Sequence, residues 1–473
     1  MGLCFSAAHV FTQEKPPAPS APKAVTIPPV IEKRLNNGLT VSVVERKNVP
    51  LVTIQMLIKS GAKDESADKA GLANLTADML TKGTKLRTAP QIAEAVEFLG
   101  GSISSGAGWN SSSISITVTS AKVEQALAIM ADVILNPKFD QKELDLLKSQ
   151  TLDELTYNLK QPGFIASYVA SKFTFGEHPA GGTPASIQSI SRADVVAFHQ
   201  HHYHPDVAVL IFSGNIDAVR ASSLSTRAFS RWQSPVRSAE PSNAAGSGND
   251  DPAATDLLRI LVVNLPKSGQ AAVTYAKDGL QGRRSSRYYT SLVTNSVLGG
   301  GYSSRLNYEI RIKRGLSYGA GSSFSWRALE SNFSTRVQTK NPSAAEVADL
   351  TLSEVKRLTT ENVDREELIP RRSVLTGTFG RNLETTAGLA NALGELYAFG
   401  IPTSELNHYV SSVNGVTDVD IRSFAGKNLL GGDLIIVGDY SSFKDDLAKR
   451  FPKMSVTVIN ADDLDLSKDS LHK

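Results

Sequence analysis

Residues 71–84 read Gly-Leu-Ala-Asn-Leu-Thr-Ala-Asp-Met-Leu-Thr-Lys-Gly-Thr. In a helix, Asn74 and Asp78 stand one turn apart on the same face. Ala77, beside them on that face, brings no polar group. A second stretch, residues 295–321, reads Asn-Ser-Val-Leu-Gly-Gly-Gly-Tyr-Ser-Ser-Arg-Leu-Asn-Tyr-Glu-Ile-Arg-Ile-Lys-Arg-Gly-Leu-Ser-Tyr-Gly-Ala-Gly. It carries Arg311 and Tyr318 behind a triple-glycine turn.

The frame of the first stretch, Gly71, Ala73, Met79, Leu80, Lys82, Gly83 and Thr84, resembles the zinc helix of pitrilysin-type metallopeptidases. That family includes mitochondrial processing peptidase and insulysin. Its helix carries His-x-x-Glu-His, and here Asn74, Ala77 and Asp78 occupy the three positions. Asn74 is a weak neutral ligand. Ala77 cannot take a proton from a metal-bound water. The family's third ligand, counted from Asp78, falls on Glu154. The resemblance therefore implies a degenerate metal site at Asn74, Ala77, Asp78 and Glu154, with no metal expected in this chain. Glu154 reads equally as a solvent-facing carboxylate on an amphipathic helix from Lys142 to Asn158.

The second stretch resembles the signature of the family's C-terminal domain. The resemblance implies that Arg311 and Tyr318 bind the substrate backbone and stabilise an oxyanion. A guanidinium and a phenol offer donors of the right kind for developing negative charge. The same resemblance makes Ser102, Ile103, Ser104 and Ser105, after Gly100-Gly101, an edge strand that accepts a peptide by strand addition. An ordinary edge kept short and polar fits these serines as well.

The chain divides at residues 238–255, a small, polar stretch rich in Gly and Pro. The halves carry matching marks in the same order. Gly-Ala-Gly occurs at 106–108 and 319–321, and Asp-x-x-Glu-Leu at Asp140–Leu144 and Asp364–Leu368. Strand patterns at Leu39–Glu45, Val52–Ser60, Ser102–Ala107, Ser112–Ser120 and Val207–Ser213 frame a first half. Its helices run from Thr88 to Gly100, across Ala121–Leu135, and through three more segments. The second half repeats the plan, with strands at 257–263, 270–275, 318–326 and 331–338 and helices at 285–298 and 303–313. The expected fold class is α+β. The resemblance implies two homologous domains, each a mainly antiparallel sheet backed by helices, making half of a clamshell. The expected divisions are a leader at 1–30, domains at 31–237 and 256–460 around the linker, and a tail at 461–473.

With 473 residues, 41% apolar and 21% charged, the composition is that of a globular protein. Fifty basic against 47 acidic residues leave a net charge of +3. No field of one sign argues for nucleic acid. No apolar run reaches the roughly 18 residues of a membrane helix. Cys4 is the single cysteine, so no internal disulfide forms, and in the leader it is a poor nucleophile. The leader lacks a positive start, is mildly apolar, and then becomes rich in proline. That suits an exported, periplasmic protein, with a cytoplasmic location as the alternative. The Gly299-Gly300-Gly301 turn has no Lys-Ser/Thr ending, so it reads as a tight turn between helices. His199, His201, His202 and His204 point in different directions around a helix and read as structural. No Gly-x-Ser-x-Gly elbow is present.

The expected function is that of a non-catalytic subunit of a heteromeric zinc metallopeptidase. Arg311 and Tyr318 would act at the zinc site of a homologous partner carrying His-x-x-Glu-His. Zinc is then expected in that partner, and the substrates are extended or unfolded peptides. The alternative is an inert peptide-binding or scaffold protein of the same fold.

Overall fold

The structure is a computed structural model that describes residues 27–234 and 259–473. Most of the leader and all of the linker at 238–255 lie outside the described residues. The first half runs β1 (Val30–Arg34), β2 (Thr40–Glu45), β3 (Leu51–Ile58), α1 (Leu72–Met79), α2 (Ala89–Phe98), β4 (Ser102–Ala107) and β5 (Ser112–Thr119). It continues through α3 (Val123–Leu135), α4 (Gln141–Asn158), α5 (Pro162–Phe173), α6 (Pro184–Ser189), α7 (Arg192–His202), β6 (Ala208–Gly214) and α8 (Ala218–Phe229). The second half opens with β7 (Ile260–Asn264), β8 (Ala271–Gln281), α9 (Tyr288–Leu298), a π-helix (Asn307–Ile312), β9 (Ser317–Ser325) and β10 (Glu330–Thr339). It ends with α10 (Ala344–Thr360), α11 (Arg365–Glu384), α12 (Thr386–Phe399), α13 (Glu405–Gly415), α14 (Asp418–Asn428), β11 (Asp433–Gly438), α15 (Lys444–Arg450) and β12 (Val456–Asn460).

Two six-stranded sheets result, ordered β1-β2-β6-β3-β5-β4 and β12-β7-β11-β8-β10-β9. Five successive strands match one for one, β2-β6-β3-β5-β4 with β7-β11-β8-β10-β9. In each sheet one parallel pair (β2 with β6, β7 with β11) is followed by antiparallel pairs out to a free edge, β4 or β9. Only the far edge differs. β1 runs antiparallel to β2, whereas β12 runs parallel to β7. The repeated Asp-x-x-Glu-Leu marks cap equivalent helices, Asp140 on α4 and Asp364 on α11, each accepting from a main-chain N–H of the first turn. Thr88 and Gln91 close a capping box on α2. Between α3 and β6 lie four helices rather than three. The extra one, α6, is six residues long, too short to show a helical period.

Each sheet packs one face on its own helices and the other on a helix from the opposite half. On α5, Ile165, Ala166 and Val169 pack against Leu261, Val263, Ala272 and Val437 of the second sheet. On α12, Leu389, Leu393 and Leu396 pack against Val44, Leu57, Val209 and Ile211 of the first. Polar groups support the exchange. Tyr397 Oη of α12 lies 2.8 Å from Ser42 Oγ, and Thr386 Oγ1 lies 2.9 Å from Thr53 Oγ1. Double coverage explains why β6 and β11 are buried along their whole lengths. The two homologous hairpins also meet tip to tip. Asn110 Nδ2 donates to the Trp326 carbonyl at 3.1 Å, and the Arg327 guanidinium lies 4.1 Å from the Trp109 ring centre. Residues 461–473 fold back on α5, burying Leu466 and Leu471.

Candidate functional site

Helix α1 begins at Gly71, whose φ of +94° is a left-handed conformation that favours glycine. Gly71 has no capping side chain, so Glu65 supplies one. Its carboxylate accepts from the main-chain N–H groups of Gly71 at 2.7 Å and Ala73 at 2.6 Å. The Glu65 side chain is fully buried, with His178 Nδ1 at 3.6 Å. Burial pushes its carboxyl up to about 7, against the pull of the helix N–H groups.

Asn74 and Asp78 share one face of α1, as their spacing predicts. Asn74 Nδ2 lies 3.4 Å from Asp78 Oδ2, and Asn74 Oδ1 accepts from the Ala107 main-chain N–H of β4 at 3.3 Å. Both ends of the carboxamide are therefore engaged. Burial pushes the Asp78 carboxyl up to about 6. Ala77 is buried and apolar. Glu154 lies exposed on α4 and makes no ion pair among the described residues. Nor do the described residues place three or more His, Cys, Asp or Glu side chains to hold a metal ion. The donor set does not fit zinc: a committed amide, an alanine, a carboxyl whose charged form burial disfavours, and a glutamate exposed on another helix.

Beside α1, β4 is the free edge of its sheet. Ser102 and Ser104 are exposed, and Ile103 and Ser105 are half-buried. Across the molecule, Arg311 lies in the π-helix, where the Lys313 N–H donates five residues back to the Tyr308 carbonyl at 2.8 Å. Such helices are rare and concentrate at functional sites. Pattern reading expects a plain helix over 303–313. The Arg311 guanidinium lies 5.0 Å from the Tyr302 ring centre, and Arg311 has no ion-pair partner among the described residues. Tyr318, on the edge strand β9, is 93% exposed. No hydrogen bond, ion pair or ring contact among the described residues joins these two to Asn74 and Asp78.

The histidines disperse as their spacing implies. His199 is held by the Ile134 carbonyl at 3.0 Å, and burial takes it down to about 4. His204 is buried against Asp206 at 2.5 Å, while His201 points to solvent. Residues 40–174 match the family model described as insulinase (peptidase family M16), and residues 189–370 match the M16 inactive-domain model. The chain belongs to the M16 peptidase family.

This M16 chain is 26% identical over 390 residues to an uncharacterized zinc protease of Rickettsia felis, covering 80% of this chain and 91% of the relative. An uncharacterized zinc protease of Mycobacterium leprae is 29% identical over 303 residues, 63% of this chain and 66% of that one. The solved structure of a peptidase M16 inactive domain from Pseudomonas fluorescens superposes with a TM-score of 0.77 at 24% identity, covering 86% of this chain and 98% of that one. A protease from Helicobacter pylori gives 0.79 at 19% identity, covering 87% and 100%. At these identities the two structures bear on the fold alone. The family places the helix that has lost His-x-x-Glu-His, so this is a non-catalytic M16 chain. Among its described residues no helix is long and apolar enough to cross a membrane.

Glu65 is the residue that sequence reading missed. The available signal is a carboxylate shortly before the glycine that opens an apolar helix.

Proposed function

We propose that this chain is the accessory subunit of a two-chain zinc metallopeptidase of the exported compartment. Its homologous partner carries the zinc and the catalytic glutamate. This chain contributes the β4 edge, which holds an extended peptide through main-chain hydrogen bonds, and the Arg311–Tyr318 pair. Those two side chains donate to the peptide carbonyl oxygen as negative charge grows on it. The observation that carries the reading is their state. Tyr318 stands 93% exposed on an edge strand, and Arg311 lacks a carboxylate partner among the described residues. An internal structural role accounts for neither.

The test is recovery of the native complex, followed by Arg311→Ala and Tyr318→Phe in the assembled enzyme. Each should lower kcat/KM by roughly 10²-fold while subunit association is unchanged, the scale set by loss of one oxyanion donor. Unchanged kcat/KM in both variants would discard the shared site. Recovery without a partner bearing His-x-x-Glu-His would point instead to an inert peptide-binding or scaffold role.

A further inference from the structure

The loop between α9 and the π-helix, residues 299–304, has donors without an acceptor among the described residues. Behind it stands Arg371 of α11, 5% exposed. Its Nη2 donates to Ser303 Oγ at 2.5 Å, and its Nε is buried without an acceptor. Among the described residues no carboxylate pairs with it. Glu367, the acid among the described residues that acts on it electrostatically, is gripped bidentately by Arg305, with Nε to Oε1 at 2.9 Å and Nη2 to Oε2 at 2.7 Å. Arg305 is itself 6% exposed and has an Nη1 without an acceptor. Arg305 has the Glu367 carboxylate and the electrostatic influence of buried Glu354 as well, whereas Arg371 is left without an ion-pair partner among the described residues. A leftover buried positive charge is costly unless something negative joins it.

Space for that partner lies at Gly301. A Cβ there would meet only Arg371 Nη1 within 4 Å, at 3.6 Å. The guanidinium therefore borders open space along the main chain. The main-chain N–H groups of Gly301, Tyr302 and Ser303 find no acceptor among the described residues. Successive main-chain donors beside a cation make an anion-binding concavity.

We propose that this loop is a carboxylate subsite that receives the C-terminal carboxylate of a bound peptide. Arg371 and the loop N–H groups donate to its oxygens. The proposal rests on the reading of the chain as a peptide-binding subunit. Arg311, over the Tyr302 ring, ties this loop to the face on which that reading depends. A planar carboxylate matches the guanidinium fork, whereas the loop lacks the lysine with which a P-loop meets phosphates.

The experiment is fluorescence anisotropy on the full chain, using an unstructured peptide labelled at its N-terminus. It is compared as the free acid and as the C-terminal amide. The free acid should bind about tenfold tighter or more, the scale of a charge-assisted hydrogen bond. Gly301→Asp sets a carboxylate beside Arg371 and should bring the free acid down to the amide's affinity. Arg371→Gln should do the same, with circular dichroism confirming that each variant is folded. Equal binding of acid and amide to the parent chain discards the subsite and leaves peptide binding standing. If neither peptide binds, both readings fall. Inorganic phosphate that displaces the free acid at concentrations below the peptide's own Kd would assign the loop to phosphate and overturn the peptide assignment.

Discussion

Asp78 sits where its surroundings disfavour charge, and burial raises its carboxyl to about 6. A carboxyl raised above its unfolded value of about 3.9 binds its proton more tightly in the folded chain. Its contribution to stability is therefore present at acid pH and lost as pH climbs through about 6. Asp78→Asn should leave stability near pH 4 almost unchanged. At pH 7.5 it should raise stability on the order of 1 kcal/mol, discounted for partial exposure. Urea melts at the two pH values check this, and an equal gain at both would remove pH linkage as the cause. At this scale the sequence made the loss at Asn74, Ala77 and Asp78 plain, because side-chain identity alone decides what a position can ligate. It could not reveal that Asn74 now holds the Ala107 N–H. That depends on how close β4 comes to α1. Glu65 was hidden for the same reason, since a chain reversal brings its carboxylate to the start of α1.

In β4 the alternation of the main chain assigns each donor a direction. Ala107 donates outward to Asn74, so Ser105 and Ile103 also direct their N–H groups to the open side. Ser104 and Gly106 face β5. Ser105→Pro should therefore keep the fold and weaken an extended peptide by roughly threefold to tenfold, the worth of one hydrogen bond. Ser104→Pro should instead cost about 1 kcal/mol or more of stability, because it breaks the ladder. Anisotropy and thermal melts of the two variants separate these effects. The opposite pattern would put the binding edge elsewhere. The hairpin and the caps at Thr88, Asp140 and Asp364 were legible because they are local chemistry. The π-helix was not. A helical run over 303–313, with Leu306 and Ile310 as its buried positions, reads the same whether the turn closes on the fourth residue or the fifth.

The linker and the paired marks show two halves, but nothing in the sequence says that α5 and α12 change places. A helical run announces that it will be buried, not which sheet will bury it. Residues 27–234 alone would leave Val44, Leu57, Val209 and Ile211 open to water. At roughly 1.5–3 kcal/mol for each large apolar side chain, that is comparable to the whole stability of a domain, about 5–15 kcal/mol. The halves expressed separately should be insoluble or molten, and co-expressed they should form a soluble complex. Calorimetry of the intact chain should show one transition. Two independently folded halves with separate melts would refute the exchange as a source of cohesion. During synthesis the first sheet emerges from the ribosome long before its lid. Residues 215–399 must follow Gly214 before α12 is complete, and at about 5–20 residues per second the nascent sheet waits on the order of ten seconds or more with an apolar face bare. The first half is therefore the part of the nascent chain that stands open to aggregation or to a chaperone, whereas the covering helix of the second, α5, is made before the sheet it covers.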